Sequence, residues 1–358
     1  MIRLFEPYVS KSEIAAAVCT LKSKFWASGS GINKVKQFET NFSRFLGSKA
    51  CVAVNSGSAA LHLALTLFDL KNQEVLVPSL TFVSTVHSII NNEAKPIFVD
   101  IDSSKLCISI DDIKKKITKK TRAIIPVHFG GMPCDLKNLR EISHEFKIPI
   151  IEDAAHACGA SFKHKKIGSH SEIVCFSFHP VKNLAMPNGG AICLNKKKSS
   201  NVKKLKAGRW CGIEERIGYS YDVKRIGWNY YMNELSAAIG LVQLKKLNKL
   251  NNIRKRIAKR YSTEINLDKK MPYSNNCSYH LYWIRVKNRS KFMKKMKSLG
   301  IETGIHYNPI HLMTFYYQKG IKLPITEKVG NEIVSVPIHP NLRKEDVDTV
   351  ISSINRII

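Results

Sequence analysis

The 358-residue sequence is poor in acidic side chains and contains no long apolar run. Only 28 Asp and Glu stand against 57 Lys and Arg, which gives a formal net charge of +29. No apolar stretch approaches the ~20 residues that a membrane-spanning helix needs, and residues 1–7 lack the apolar core of a signal peptide. The hydrophobic fraction of 44% argues against disorder. We therefore expect a soluble, cytoplasmic protein without a membrane partner.

Cysteine pairs at metal-binding or disulfide spacing are also missing. The nine cysteines form an odd-numbered set with no Cys-x-x-Cys pair, whereas a disulfide framework or a structural zinc site needs paired, closely spaced cysteines. Cys175 and Cys193 lie inside apolar, strand-like runs. We expect buried free thiols and no metal ion.

The positive charge is the most unusual property of the composition, and nucleic acid is the obvious partner to consider. A nucleic-acid-binding face should be clustered and accompanied by aromatic residues or a known module. The basic groups are instead scattered, at 114–116, 163–166, 196–198, 203–206, 254–260 and 294–297. We expect a solvated basic surface that attracts anionic small molecules, and no specific nucleic-acid site.

Short apolar runs alternate with helical patterns over the first two-thirds of the chain. Continuous apolar runs are typical of strands covered on both faces, and they predict strands at 50–54, 74–77, 96–99, 123–127, 149–152, 173–178 and 191–194. Helical patterns lie between them, at 59–68, 84–91, 111–116 and 136–146. This alternation predicts an α/β fold with a mainly parallel central sheet, whose ligand site lies at the carboxyl ends of the strands.

The pattern changes after about residue 230. A long helix is predicted over 233–262, followed by a strand at 279–286, a helix at 290–299, a strand at 301–307 and a last helix at 344–358. We therefore predict a large domain over 1–245 and a small C-terminal α+β domain over 246–358.

Two predicted strand ends carry residues suited to an anionic and a cationic group. Asn55-Ser56-Gly57-Ser58 leads from a strand into a helix, where free N–H groups and the helix dipole can bind phosphate. The same serines could simply cap the helix. Asp153, at the end of Ile150-Ile151-Glu152-Asp153, could hold a protonated ring nitrogen, or it could be a helix N-cap.

Two further strand ends carry a lysine and an aromatic ring. Lys182 follows the strand that ends at Ser177 and stands among uncharged residues, unlike most lysines of this chain. Burial would lower its pKa and make the amine nucleophilic, as Schiff-base chemistry requires, although an exposed turn lysine fits the pattern too. Phe82, after the strand at 74–77, could stack on a planar ring or belong to the core.

Together the four features match the demands of pyridoxal 5′-phosphate (PLP). The cofactor needs a phosphate site, an aromatic neighbour, a carboxylate for its ring nitrogen and a lysine for its aldehyde. Asp153 and Lys182 are separated by a stretch long enough to place them at the ends of neighbouring strands.

The sequence also resembles a known family, the DegT-type sugar aminotransferases, which are fold type I PLP-dependent enzymes. The resemblance covers nearly the whole chain, in the family's order. It is carried by NSGSAALHLAL, VPSLTFVSTVHSI, PIFVDID, AIIPVHFGG, PIIEDAAHACGA, IGSHSEIVCFSFHPVKNL, GWNYYMNELSAAIGLVQL, GIHYNPIHL and SVPIHP.

The resemblance implies a role for each matching residue. Lys182 would be the catalytic Schiff-base lysine and proton shuttle. The cofactor-binding residues would be Gly57, Ser58 and Ser177 at the phosphate, Phe82 on the ring, Asp153 at the ring nitrogen, His156 near the ring hydroxyl, and Asn229 reaching the partner subunit's cofactor. His306, Tyr307 and His311 would lie near the substrate, or could equally be structural.

The resemblance further implies transfer of an amino group from glutamate to a nucleotide-linked keto-sugar, in a homodimer with shared active sites. Such a reaction would serve amino-sugar biosynthesis for a surface polysaccharide or glycan. The alternatives are another keto substrate, such as a cyclic polyol or an aminobenzoate precursor, and a non-catalytic regulator that binds PLP or nucleic acid.

The chain departs from the family pattern at two places. Met186-Pro187-Asn188-Gly189-Gly190 replaces the usual Thr-Gly-Glu-Gly-Gly, which removes an acidic residue beside the reactive lysine. Tyr231 stands where an arginine is common, which bears on the assignment of Asn229. The presence of Lys182 separates this chain from the dehydratase branch of the family, in which histidine replaces that lysine.

Overall fold

The computed structural model describes residues 1–196 and 199–358. Two lysines of the basic group at 196–198, Lys197 and Lys198, lie outside the described residues. The helices are α1 (Lys11–Lys22), α2 (Asn33–Leu46), α3 (Gly57–Leu65), α4 (Val83–Ile90), α5 (Ile110–Lys116), α6 (Leu136–Phe146), α7 (Ser199–Gly208), α8 (Glu234–Glu264), α9 (Arg289–Ser298), α10 (Pro324–Glu332) and α11 (Lys344–Ile357).

The strands are short, as in most α/β folds. They are β1 (Ala50–Val54), β2 (Glu74–Pro78), β3 (Lys95–Val99), β4 (Thr121–Ile124), β5 (Ile151–Asp153), β6 (Ser161–Phe162), β7 (Lys165–Lys166), β8 (Ile173–Ser177), β9 (Gly190–Leu194), β10 (Ile213–Ile217), β11 (Ser220–Val223), β12 (Tyr282–Arg285) and β13 (Ile333–Val336).

The predicted strands of the first two-thirds form one central sheet. Strands β3, β2 and β4 pair in parallel, as do β5 and β8, while β9 runs antiparallel to both β8 and β1. Parallel bridges at Ile124–Ile150 and Val127–Asp153 join the two groups, which gives the order β3-β2-β4-β5-β8-β9-β1 for the described residues. The mainly parallel α/β fold is therefore confirmed.

Apolar side chains cover this sheet on both faces. Along β8, Ile173 and Cys175 join one hydrophobic cluster, whereas Val174 and Phe176 join another. Because alternate residues of a strand point to opposite faces, each face has its own core. This explains why the strands appear in the sequence as continuous apolar runs.

The C-terminal part is built on a small antiparallel pair, β12 with β13, beside α9 and α11. The prediction of a strand at 301–307 is wrong. The backbone there makes only isolated bridges, Ile301 with Ile2 and Gly304 with Ser335, because its partners are two different segments. Helix α8 continues through residue 245, and the division into two domains at that residue stays a prediction.

The state of the cysteines and the character of the helices can be compared with the expectations from the sequence. All nine cysteines are free thiols, seven of them buried, while Cys19 and Cys211 are exposed. No helix within residues 1–196 and 199–358 combines the length and apolar character that crossing a membrane requires.

Candidate active site

A cavity of about 300 Å³ opens at the carboxyl ends of the central strands. Residues that follow β1, β2, β4, β5 and β8 meet there, as the topology of a parallel sheet requires. The lining includes the predicted residues Gly57, Ser58, Phe82, Asp153, His156, Ser177, Lys182, His306 and Tyr307.

The start of α3 forms one wall of the cavity. Ser56 is the N-cap, and its Oγ accepts a hydrogen bond from the N–H of Ala59 at 3.0 Å. Gly57 and Ser58 open the helix, so their N–H groups have no carbonyl in a preceding turn to bond. A Cβ on Gly57 would lie 2.6 Å from the Cβ of Ser177, so glycine allows the helix to start against the end of β8. Capping by Ser56 leaves Ser58 available to a ligand.

Asp153 ends β5 and is almost fully buried beside the cavity. Its Oδ1 accepts from the N–H of Ala155 at 3.0 Å and its Oδ2 from the hydroxyl of Thr85 at 2.8 Å. Burial raises the pKa of this carboxyl above its ordinary value, and these hydrogen bonds and the charge of Lys182 oppose the rise. Turns rather than an α-helix follow β5, so Asp153 does not cap a helix.

Lys182 lies on a loop whose two ends are hydrogen-bonded to each other beside the sheet. The N–H of Phe178 donates to the carbonyl of Gly189, and that of Met186 donates to the carbonyl of Phe178, each at 2.8 Å. The half-buried Lys182 side chain lines the cavity, with Nζ 3.3 Å from Nε2 of His280. Burial lowers the pKa of the amine to about 8, although the carboxylate of Asp153 favours the charged form.

His156 and Tyr307 form a hydrogen-bonded pair on the opposite wall. The N–H of Gly130 donates to His156 Nδ1 at 3.2 Å, so the ring proton resides on Nε2, which lies 3.0 Å from the Tyr307 hydroxyl. Burial lowers the pKa of His156 well below its ordinary value, and the charge of Lys182 adds to that effect. The imidazole is therefore a neutral donor to Tyr307.

Two more predicted residues complete this wall. His306 Nδ1 lies 2.9 Å from the Ser335 hydroxyl, and burial lowers the pKa of His306 to about 4. Phe82 is the residue before α4, and its side chain is 54% exposed, with its ring 6.0 Å from that of Tyr307. Phe82 is thus not a core residue.

The structure does not bring Asn229 or His311 to this cavity. Asn229 is exposed, and its backbone carbonyl accepts a hydrogen bond from the Asn55 side chain. His311 is buried, with Nδ1 2.7 Å from the Ser79 hydroxyl and Nε2 3.2 Å from Glu327. Both ring nitrogens of His311 are engaged by neighbouring side chains outside this cavity, and its placement near the substrate stays a prediction.

Thr85, Asn188 and His280 are among the lining residues that were absent from the predicted site. Thr85 lies on α4, four residues after Thr81, which precedes the helix, and the two hydroxyls lie 3.1 Å apart. Two threonines four residues apart, just after a predicted strand, are a pattern from which the sequence could have indicated Thr85 as a site residue. Asn188 belongs to the segment 186–190 that departs from the family pattern, so the sequence contained a signal for it. No local pattern in the sequence indicates His280.

The side chains present fit PLP. A helix start with unpaired N–H groups suits a phosphate, a buried carboxylate suits a protonated ring nitrogen, and an amine of lowered pKa suits an aldehyde. Among the described lining residues, Lys182 is the one lysine and Asp153 the one acidic side chain. The donor set therefore provides each contact that the cofactor needs.

A family model and known proteins match the chain over nearly its full length. The model of the DegT/DnrJ/EryC1/StrS aminotransferase family matches residues 7–355. The uncharacterized protein MJ1066 of Methanocaldococcus jannaschii is 34% identical, over 99% of this chain and 97% of its own.

Solved structures share the fold. Spr1654 of Streptococcus pneumoniae, solved in a PLP form and a PMP form, has a TM-score of 0.94 and 27% identity, over 99% of this chain and 97–98% of its own. The sugar aminotransferase CalS13 of Micromonospora echinospora has a TM-score of 0.91 and 28% identity, over 99% of this chain and all of its own. These likenesses confirm the predicted fold type.

Proposed function

Since the chain belongs to the DegT/DnrJ/EryC1/StrS aminotransferase family and is a PLP-dependent transaminase, we propose a specific reaction for it. The proposed reaction moves an amino group from glutamate to a keto-sugar linked to a nucleoside diphosphate. The observation that carries the proposal is the convergence of Lys182, Asp153 and the start of α3 on one cavity. The similarity to CalS13 supports the sugar as the class of acceptor.

In the proposed site, each cofactor contact is assigned to residues of the cavity. Gly57, Ser58 and Ser177 hold the phosphate, Phe82 covers the ring, and Asp153 binds the ring nitrogen. His156, a neutral donor, lies near the ring hydroxyl. When bound, PLP supplies an aldehyde that takes up the amino group and a ring that withdraws electrons from the donor's α-carbon.

Lys182 is the proposed catalytic residue, because its amine can move a proton. With a pKa of about 8, the amine is neutral in about a tenth of molecules at pH 7 and in about half at pH 8. A neutral Nζ can accept the proton from the α-carbon of the amino donor and return it in the second half of the reaction.

The proposed acceptor meets neutral polar groups in the cavity. His306, Tyr307 and Asn188 are among its lining residues and can hydrogen-bond sugar hydroxyl and carbonyl oxygens without a charge. The net charge of +29 favours the approach of a diphosphate. The aminated product would serve a surface polysaccharide or glycan.

A homodimer with shared active sites is part of the proposal. The exposed side chain of Asn229 is free to reach a neighbouring subunit. Helix α1 exposes Ile14, Val18 and Leu21 at helical spacing, which is typical of a contact surface. The nine free thiols support a reducing compartment, so we propose a cytoplasmic location.

The test is amino transfer by purified protein that has been loaded with PLP. We expect a visible absorption band that changes when glutamate is added, and amino-sugar formation from a nucleotide-linked keto-sugar with ¹⁵N-glutamate, detected by mass spectrometry. Lys182→Ala should abolish both signals. Transfer to a cyclic polyol ketone but to none of the nucleotide sugars would overturn the proposed acceptor, and absence of the band would overturn the proposed role of Lys182.

A further inference from the structure

His280 contacts the reactive lysine but is not among the residues proposed to bind the cofactor or the substrate. It is 2% exposed, and its Nε2 lies 3.3 Å from Lys182 Nζ. The backbone holds it there firmly, since its N–H donates to the carbonyl of Gly130 at 2.9 Å and the preceding Tyr279 takes a left-handed conformation at φ 50°. The position of this ring is therefore set by the fold.

Aromatic rings fix the orientation of His280. The ring of Phe5 stacks on it at 5.5 Å between centroids with an interplanar angle of 15°, and the ring of His156 lies 4.4 Å away. Within the described part of the chain, Nδ1 of His280 is buried and has no hydrogen-bond partner. The two nitrogens thus differ sharply, because Nε2 faces an amine and Nδ1 faces nothing that can pair with it.

This difference selects a tautomer of the neutral ring. A proton on Nδ1 would be a buried donor without an acceptor, which is costly. A proton on Nε2 can instead be donated to the lone pair of a neutral lysine amine. An ammonium has three donors and no acceptor, so it pairs with His280 only when the ring proton moves to the unpaired Nδ1.

We propose that His280 is a positioning residue whose Nε2–H donates to the neutral amine of Lys182, so that His280 favours the uncharged form of this amine and keeps it inside the cavity when it is not bound to the cofactor. The inference rests on the proposed function, because a lysine that moves a proton must be neutral when it acts as a base. Burial and the nearby positive charges also lower the pKa of His280, which keeps its ring neutral.

Other groups face the pair and enter its titration. Asp153 favours the charged form of Lys182. Among the described residues, the remaining titratable or charged groups that face the pair are His156, His179, His306, Arg254 and Tyr307. They are the same in the wild type and in a His280 variant, so a comparison of the two isolates the contribution of His280.

The experiment measures the titration of Lys182 in the full-length apoprotein. Trace labelling with acetic anhydride between pH 6 and 11, followed by peptide mass spectrometry, gives the pKa of the Lys182 amine directly. In His280→Gln the amide oxygen accepts from the ammonium without a tautomer change, so we expect the pKa of Lys182 to rise by about one unit. The matched control, His306→Gln, replaces another neutral cavity histidine and should leave it unchanged.

A Lys182 pKa that stays the same or falls in a folded His280→Gln protein would overturn the inference. The wild type gives an independent answer where the variant does not fold. Above pH 9, where Lys182 with its pKa of about 8 is mostly neutral, a ¹⁵N spectrum of the histidine rings should show His280 protonated at Nε2, and protonation at Nδ1 there would overturn it. Neither readout depends on amino transfer, so a null result together with intact transfer to a keto-sugar rejects the role of His280 alone.

Discussion

The hydroxyl of Thr85 stabilises the ionised form of Asp153 by a hydrogen bond. A substitution that keeps the shape of the Thr85 side chain can remove this hydrogen bond. Thr85 has a single hydroxyl proton, which it donates to Asp153 Oδ2 at 2.8 Å, so it must accept from the hydroxyl of Thr81 at 3.1 Å. In Thr85→Val a methyl group replaces the donor. Asp153 then keeps only the hydrogen bond from the N–H of Ala155.

The expected effect follows from the value of one hydrogen bond to a charged group. Such a bond contributes about 1.5–3 kcal/mol, which corresponds to a rise of roughly one to two units in the pKa of Asp153. Burial already raises this pKa. A carboxylate that is harder to ionise binds a protonated ring nitrogen less well, so we expect PLP to bind between about tenfold and a hundredfold more weakly.

Titration of the apoprotein with PLP, followed by absorbance, measures this change. Thr85→Ser keeps the hydroxyl and should bind PLP within about threefold of the wild type, whereas Thr81→Val removes only the outer hydrogen bond and should have an intermediate effect. Urea unfolding of each variant separates a binding defect from lost stability. A dissociation constant of Thr85→Val within twofold of the wild type would refute the reasoning.

Three further predictions concern packing, pH and assembly. In Gly190→Ala the new Cβ would overlap the carbonyl group of Ser56, so urea unfolding should show a loss of roughly 1–3 kcal/mol, unlike Gly208→Ala, whose Cβ meets only the flexible end of Leu63. The pKa of His306 falls from 6.5 to about 4 on folding, so at acidic pH the unfolded chain binds more protons than the folded one, and stability decreases as the pH is lowered. His306→Gln should remove roughly 1–2 kcal/mol of the loss between pH 6.5 and 5, and an unchanged slope would contradict this. Mixing inactive Lys182→Ala and Asn229→Ala subunits under exchange should restore about a quarter of the wild-type transfer rate, since one of the two shared sites in each mixed dimer is intact; no recovery would contradict shared sites.

The central sheet could be predicted because its strands are buried on both faces. The predicted strands at 50–54 and 191–194 agree with β1 and β9 to within one residue. The helix pattern of α2 was available too, since Val35, Phe38, Phe42 and Leu46 recur on one face and are buried, but it was not predicted. Strand β11 is exposed along its whole length, so no alternation of buried and exposed residues could have indicated it.

The site could be predicted where chemistry follows directly after a strand. Gly57, Asp153 and Lys182 come from different parts of the chain, and the common edge of a parallel sheet brings them together. His280 follows Lys182 by 98 residues and enters the cavity through an irregular segment bonded to Gly130. No local periodicity records such a contact, so sequence patterns could not supply it.

Glu152 and Asp153 are adjacent carboxylates at the end of β5, and the sequence alone does not show which of them faces the cavity. Asp153 faces the cavity, whereas Glu152 points to the other face, where His128 Nε2–H donates to it at 2.7 Å. Burial acts to raise the pKa of both carboxyls. For Glu152 the hydrogen bonds from His128 and Ser171 outweigh burial, and its pKa lies below the ordinary value. Asp153 has no cation in direct contact within the described chain, and its pKa stays raised. Asp153 lines the cavity and its hydrogen bonds do not offset burial, so a cationic ligand could stabilise its ionised form, and this favours Asp153 over Glu152 as the residue proposed to bind the ring nitrogen.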